Sequence, residues 1–216
     1  RRRKMIEELL KATIETLYMT FFSALIAFMA GLPLGILLYL LSKKKDHASK
    51  MIYTFFDFII NIFRSIPFII LIILLIPLTK LIAGTIIGAN SAIVSLSIAA
   101  IPFMARLCEN SFNSLSPEML DTASSMGMTT SQLITKVLIP ESLPEIISNS
   151  TVLIINLITY TAIAGAVGAG GLGAMAINYG YQRFRADILL YTVSILVIIT
   201  QLVQFAGTLL SKRLRR

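Results

Sequence analysis

The sequence predicts an all-α polytopic membrane protein with five transmembrane helices and one long polar loop. Three observations predict it. Hydrophobic residues make up 56% of the chain and charged ones only 14%, where a soluble domain carries about 25% charged residues. Runs free of Asp, Glu, Lys, Arg and His cover 16–41, 81–105, 146–182 and 188–211, each long enough for the roughly 20 helical residues that cross a bilayer core. The basic residues behind the net charge of +8 sit beside these runs, as membrane flanks do, and not in a patch suited to nucleic acid. Hydrocarbon offers backbone N–H and C=O groups no partner, so the apolar runs should be helices.

In chain order, Arg1-Arg2-Arg3-Lys4 opens a basic N-terminal segment, 1–14, ahead of a single domain at 15–210. The first span is 15–41; a secretory apolar region runs to about 15 residues, so this longer one is read as retained. The second, 59–80, is interrupted by Arg64 and Pro67, and Pro33 and Pro67 should kink their helices. Asp57 and Arg64, seven residues apart, could share a helix face near this span's inner end, as an interfacial ion pair or as snorkelling side chains and not as a proton relay. The third span is 89–107, the fourth 146–168 and the fifth 188–210, before a basic tail at 211–216. With the C-terminus inside, ten basic residues face the cytoplasm against eight outside. The basic N-terminus opposes that bias, so charge alone leaves orientation open.

The fourth uncharged run outlasts one span. Its second half, Gly165 to Gly173, holds five glycines in nine positions, which suits a tightly packed end at a dimer or pore surface. The run also matches Gly-x-Gly-x-x-Gly from Gly168 to Gly173, with Asp187 nineteen residues on. A dinucleotide site needs a strand before that turn and a βαβ unit around it. Neither is present. Asn149, Asn156 and Tyr160 fall on one stripe of the fourth span, with Thr159 beside it. The stripe is expected to line a translocation path with Ser95 opposite, the alternative being hydrogen bonding between helices.

Residues 108–145 do not belong in hydrocarbon, since they hold Glu109, Glu118, Asp121, Lys136, Glu141 and Glu145. They still carry helical grammar. Ser116-Pro117-Glu118 supplies an N-cap, a proline at the first helical position and an acid in the first turn. Gly127 ends that helix, Thr129 with Gln132 forms a capping box, and Pro140 stops the helix they open. The pattern predicts two short amphipathic helices joined at a glycine, a rigid knob for a soluble partner; the alternative is a solvated loop with some helix.

This segment resembles the cytoplasmic signature of permease subunits of ATP-binding-cassette importers: Glu-Ala-Ala, three residues, Gly, nine residues, Ile-x-Leu-Pro. Asp121-Thr122-Ala123, Gly127 and Val137-Leu138-Ile139-Pro140 keep that spacing, with Asp for Glu, Thr for Ala, Val for Ile and Ile for Leu. The stretches 61–71, 165–173, 178–181 and 204–207 resemble the methionine-importer permeases, a five-span branch, and the similarity runs from about Glu15 to Gly207. The resemblance implies a multi-pass permease of the cell membrane, surrounded by lipid, that works as a homodimer. It implies two cytoplasmic ATPase subunits and an extracytoplasmic binding protein that delivers an amino acid, methionine being favoured. It makes 108–145 a coupling-helix loop, with Asp121, Thr122, Ala123 and Gly127 at the ATPase contact.

Physical chemistry agrees with that division of labour. The chain contains no Gly-x-x-x-x-Gly-Lys-Ser/Thr loop, so ATP hydrolysis falls to partner chains and this one is not an enzyme. One Cys and one His leave no cofactor or metal site to expect. Moving a two-state gate from 1:99 to 99:1 takes about 5.5 kcal/mol, whereas exposed charge pairs contribute about 0.2–1 kcal/mol each. Apolar docking by Met119, Leu120 and Met126 is therefore expected to matter more than the charge of Asp121. Three rivals remain: a permease for another small substrate, an ion-coupled secondary transporter, and a structural membrane-assembly protein, which predicts no transport. The second would place ionisable groups at mid-membrane repeats, and 16–41, 146–182 and 188–211 contain none.

Overall fold

The computed structural model describes residues 2–215, apart from the side chains of Arg2 and Ser124. Arg1 and Arg216, which belong to the two basic ends, lie outside the described residues. The described residues are helical throughout: α1 (Arg2–Lys43), α2 (His47–Ser65), α3 (Phe68–Leu74), α4 (Ile76–Ala83), α5 (Ala89–Asn113), α6 (Pro117–Ser125), α7 (Thr130–Leu133), a π turn at Ile134–Leu138, α8 (Ile139–Ala166), α9 (Gly171–Met175), a π turn at Ala176–Tyr181, and α10 (Ala186–Leu214). Four helices have the length and apolarity to cross a membrane: Arg3–Lys43, Ala89–Asn113, Thr130–Ala166 and Ala186–Leu214. The bent pair α2–α3 passes the same test as a unit and makes five when counted as one broken span.

The basic segment is not separate from the first span. Arg3–Glu7 and Lys11–Glu15 ion pairs, each one helical turn apart, carry α1 straight through it. The segment 59–80, expected as one kinked span, is instead broken, with the axes of α2 and α3 differing by 107°. Proline excludes the preceding residue from helical geometry; Ile66 takes φ −81° and ψ 124°, ending α2, and α3 restarts beyond Pro67. Pro140 has the opposite outcome. The helix opened at Thr130 runs through it to Ala166, because the preceding turn widens into a π turn in which the Ile139 N–H bonds to the Ile134 carbonyl. That wider turn gives room to a proline ring that would clash in an α turn.

α5 is the central helix. Its apolar window is 56% buried, against 11% for α10, which turns its apolar surface outward. α1 packs against α5 through Gly31 and Gly35. A Cβ on Gly31 would stand 2.7 Å from the Met104 Cβ, and one on Gly35 would stand 2.6 Å from the Cys108 Cβ. Glycines four apart let backbones approach where no hydrophobic force drives association. At one end of the bundle, Gly88 donates to the Gly168 carbonyl at 2.9 Å. At the other, Asn149 of α8 donates to Ser111 of α5 at 2.8 Å, and Ser211 of α10 to the Pro144 carbonyl at 2.7 Å.

The glycine-rich segment folds back on its own helix. Gly168, Gly170 and Gly171 have φ of 95°, 86° and 76°, values that side chains disfavour. The turn lays α9 along α8 so closely that a Cβ on Gly173 would meet the Ala162 carbonyl oxygen at 2.2 Å. The dense glycines thus serve an internal hairpin between α8 and α9. The five-residue α9 starts against α1, where Glu15 and Thr16 accept from the Gly171 and Leu172 N–H groups at 2.8 and 2.9 Å.

Candidate functional site

The loop between α5 and α8 has the grammar its sequence indicates. Ser116 accepts from the Met119 N–H at 3.4 Å. Thr129 and Gln132 bond reciprocally at 2.9 and 3.3 Å, completing the capping box. Gly127, at φ +69° with nothing within 4 Å of a built Cβ, makes the turn between them. The seven residues expected at a partner contact divide into two faces. Ala123 is buried and Leu120 packs against the protein's main core. Asp121, Thr122 and Met126 are exposed, Met126 by 71%, with Met119 half-buried. Leu120 therefore anchors the knob inward, while Met126 offers the apolar surface outward.

The residues expected along a path are not gathered into one site. The Asn149 amide is engaged between helices, bonding Ser111 and the Leu107 carbonyl at 2.8 and 3.4 Å. Ser95 is buried, its hydroxyl 2.9 Å from that of Thr79 on α4, at the wall of a cavity of about 220 Å³ reaching Val167 and Ala169. Tyr160 lines a different cavity, of about 160 Å³, with its ring stacked on Phe68 at 4.4 Å and 8°. Asn156 is half-buried, and Thr159 is exposed with its hydroxyl donating to the Ile155 carbonyl at 3.3 Å.

Asp57 pairs with Arg106 of α5, not with Arg64. Arg106 also donates to Glu109 at 2.6 Å, and Glu109, whose side chain is 3% exposed, accepts from the Tyr53 hydroxyl at 3.0 Å. Four side chains thus tie α2 to α5. The spacing of Arg106 and Glu109, three apart on one helix, was the available signal; their partners on α2 are a tertiary choice. The Arg64 guanidinium instead lies 5.9 Å from the centroid of the Phe103 ring.

Residues 31–216 match the family of binding-protein-dependent transport system inner membrane components. The chain belongs to this family. Among relatives, the methionine import system permease protein MetP of Bacillus subtilis is 47% identical over 206 residues, covering 95% of this chain and 93% of its own. The probable D-methionine transport system permease protein MetI of Vibrio cholerae is 42% identical over 205 residues, covering 95% and 91%. A solved inward-facing structure of the MetNI methionine ABC transporter contains a chain that matches with TM-score 0.95 and 41% identity over 99% of both chains. Membership makes this protein a multi-pass membrane component, in keeping with its apolar helices, and not the catalytic subunit of its system.

Proposed function

We propose that this chain is the permease subunit of an ATP-driven methionine importer. It works as a homodimer with two cytoplasmic ATPase subunits and receives its cargo from an extracytoplasmic binding protein. The observation that carries the reading is likeness at full length to a methionine transporter chain, at TM-score 0.95 and 41% identity. The knob at 117–127 is the ATPase contact. Its exposed side, Asp121, Thr122 and Met126 with Met119, meets the partner. Its inner side, Leu120 and Ala123, rests on the bundle. A push on α6 then reaches the bundle through Leu120 and the buried Ala123, because close-packed side chains transmit displacement that a loose loop would absorb. Ser95 and Tyr160 line two cavities that we place along the route of the cargo, and Asn149 holds α8 to α5 beside them, while Asn156 and Thr159 line neither cavity.

The test is reconstitution. Proteoliposomes carrying this permease, its ATPase and its binding protein should accumulate radiolabelled methionine only with ATP, and lose accumulation when 117–127 is replaced by a flexible linker. Uptake that persists without the ATPase and collapses with the membrane potential would overturn the reading in favour of an ion-coupled transporter.

A further inference from the structure

Arg64 has no part in the coupling loop or in the α2–α5 joint. It stands on a helix of the bent span beside Phe103 and Ala99, and those two lie near the middle of α5, a helix long enough to cross a membrane. Arg64, exposed on α2, is thus level with the middle of a crossing-length helix and not at the inner end expected from sequence, and a cation so placed typically marks a pathway or a partner of opposite charge. The carboxylate it shares a helix with, Asp57, is engaged by Arg106, as is Glu109. Among the described residues Arg64 forms no ion pair.

What surrounds it is aromatic. Phe63, Arg64, Phe68, Phe103 and Tyr160 line the cavity of about 160 Å³, and no carboxylate is among its lining residues. The break at Pro67 builds it: by ending α2 and redirecting α3, it sets Phe68 flat against Tyr160 of α8 while Arg64 stays on α2. One wall is thus a planar, permanently charged fork suited to a carboxylate. The rest is apolar: Ile66, Leu71 and Ala99 beside the rings of Phe63, Phe68, Phe103 and Tyr160, and rings attract polarisable sulfur and the ammonium group of an amino acid.

We propose that Arg64 and this aromatic cavity form a substrate subsite within the membrane. The guanidinium holds the α-carboxylate of the passing amino acid, and the rings of Phe103, Phe68 and Tyr160 hold its thioether side chain. The inference rests on the methionine-import reading and adds a filter beyond the binding protein. A lysine or arginine substrate finds no counter-charge there, and an acidic one brings two carboxylates to one cation.

The experiment uses the purified permease–ATPase complex without binding protein, titrated with methionine, methioninamide and norleucine by saturation-transfer NMR. The unaltered complex should bind methionine at least several-fold better than either analogue. Arg64→Gln should weaken methionine binding roughly ten- to a hundredfold, the range of a lost charged hydrogen bond, and bind acid and amide alike. Tyr160→Leu should narrow the preference for methionine over norleucine while leaving acid over amide intact. If Arg64→Gln does not assemble, Arg64→Lys carries the test, with several-fold weaker binding and the acid preference kept. Unaltered affinity and discrimination in whichever arginine variant assembles would overturn the subsite, as would a complex that imports methionine but binds none in this assay. ATP-driven uptake by the unaltered protein is scored separately: its absence defeats the importer reading, whatever the variants do.

Discussion

Arg106 and Arg64 stand on neighbouring helices of the same apolar bundle, yet their surroundings differ completely. Arg106 meets two carboxylates, and one of those is also held by the Tyr53 hydroxyl. Arg64 meets a phenylalanine ring and an open cavity. The contrast separates two uses of charge in an apolar bundle. A cation enclosed by fixed counter-charges is a joint, because every group it brings out of water already has its partner. A cation facing a cavity leaves its counter-charge to something that comes and goes.

The sharpest way to break this comparison is to remove the enclosed cation. Arg106→Met leaves Glu109, 2% exposed, as an uncompensated buried acid, and breaking such a pair costs about 3–5 kcal/mol. Thermal unfolding in detergent should show a large drop in midpoint, and adding Glu109→Gln should recover part of it. Arg64→Met removes no partner from a buried carboxylate and should leave the midpoint nearly unchanged. Equal losses from the two arginines would erase the distinction.

A smaller effect is expected from the packing that sets both arginines in position. Gly35→Leu forces side-chain atoms toward the Cys108 Cβ and the Ala105 carbonyl oxygen, which a Cβ alone would meet at 2.6 and 2.7 Å. Overpacking of this kind costs about 1–3 kcal/mol and moves α5, which carries Arg106 and Phe103. Thermal midpoint and methionine uptake should fall together. Gly127→Ala meets no atom within 4 Å and strains only its φ of +69°, a cost of about 1 kcal/mol. It should leave the midpoint close to the parent while reducing uptake per ATP hydrolysed, measured side by side in proteoliposomes.

These outcomes follow the line between what could and could not be read from the sequence. Four of the spans were legible because hydrocarbon imposes length and apolarity on any crossing helix, whereas the second, 59–80, broke at Pro67. The helical turns of the polar loop were legible because caps are local: Ser116 reaches Met119, and Thr129 reaches Gln132, whatever the rest of the chain does. Partner choice was not local. Asp57 had Arg64 two turns along its own helix and took Arg106 from another. Pro67 and Pro140 obey one steric rule, and the chain met it by breaking at the first and widening to a π turn before the second. Gly31 and Gly35 carried a close-packing signal in plain sight, but only the observed contact with Met104 and Cys108 says which helix they admit.

A third setting for charge completes the comparison and predicts the smallest effect. Asp46 lies between α1 and α2, fully in water, and caps α2 by accepting from the Ser49 N–H at 2.9 Å. That bond, helped by the nearby Lys44 charge, holds its carboxyl below the usual aspartate value. The folded form therefore prefers the ionised acid. The cap contributes in full above the unfolded value of about 3.9 and fades as pH falls through the lower folded value. Protection of the Ser49 amide against hydrogen exchange, corrected for intrinsic rate, should hold steady from neutral pH down to that range and then decline. Asp46→Asn keeps an accepting side-chain oxygen at the cap but cannot titrate, so its protection should stay flat over the same interval. A decline of equal size in the asparagine variant would mean that some other group carries the pH dependence.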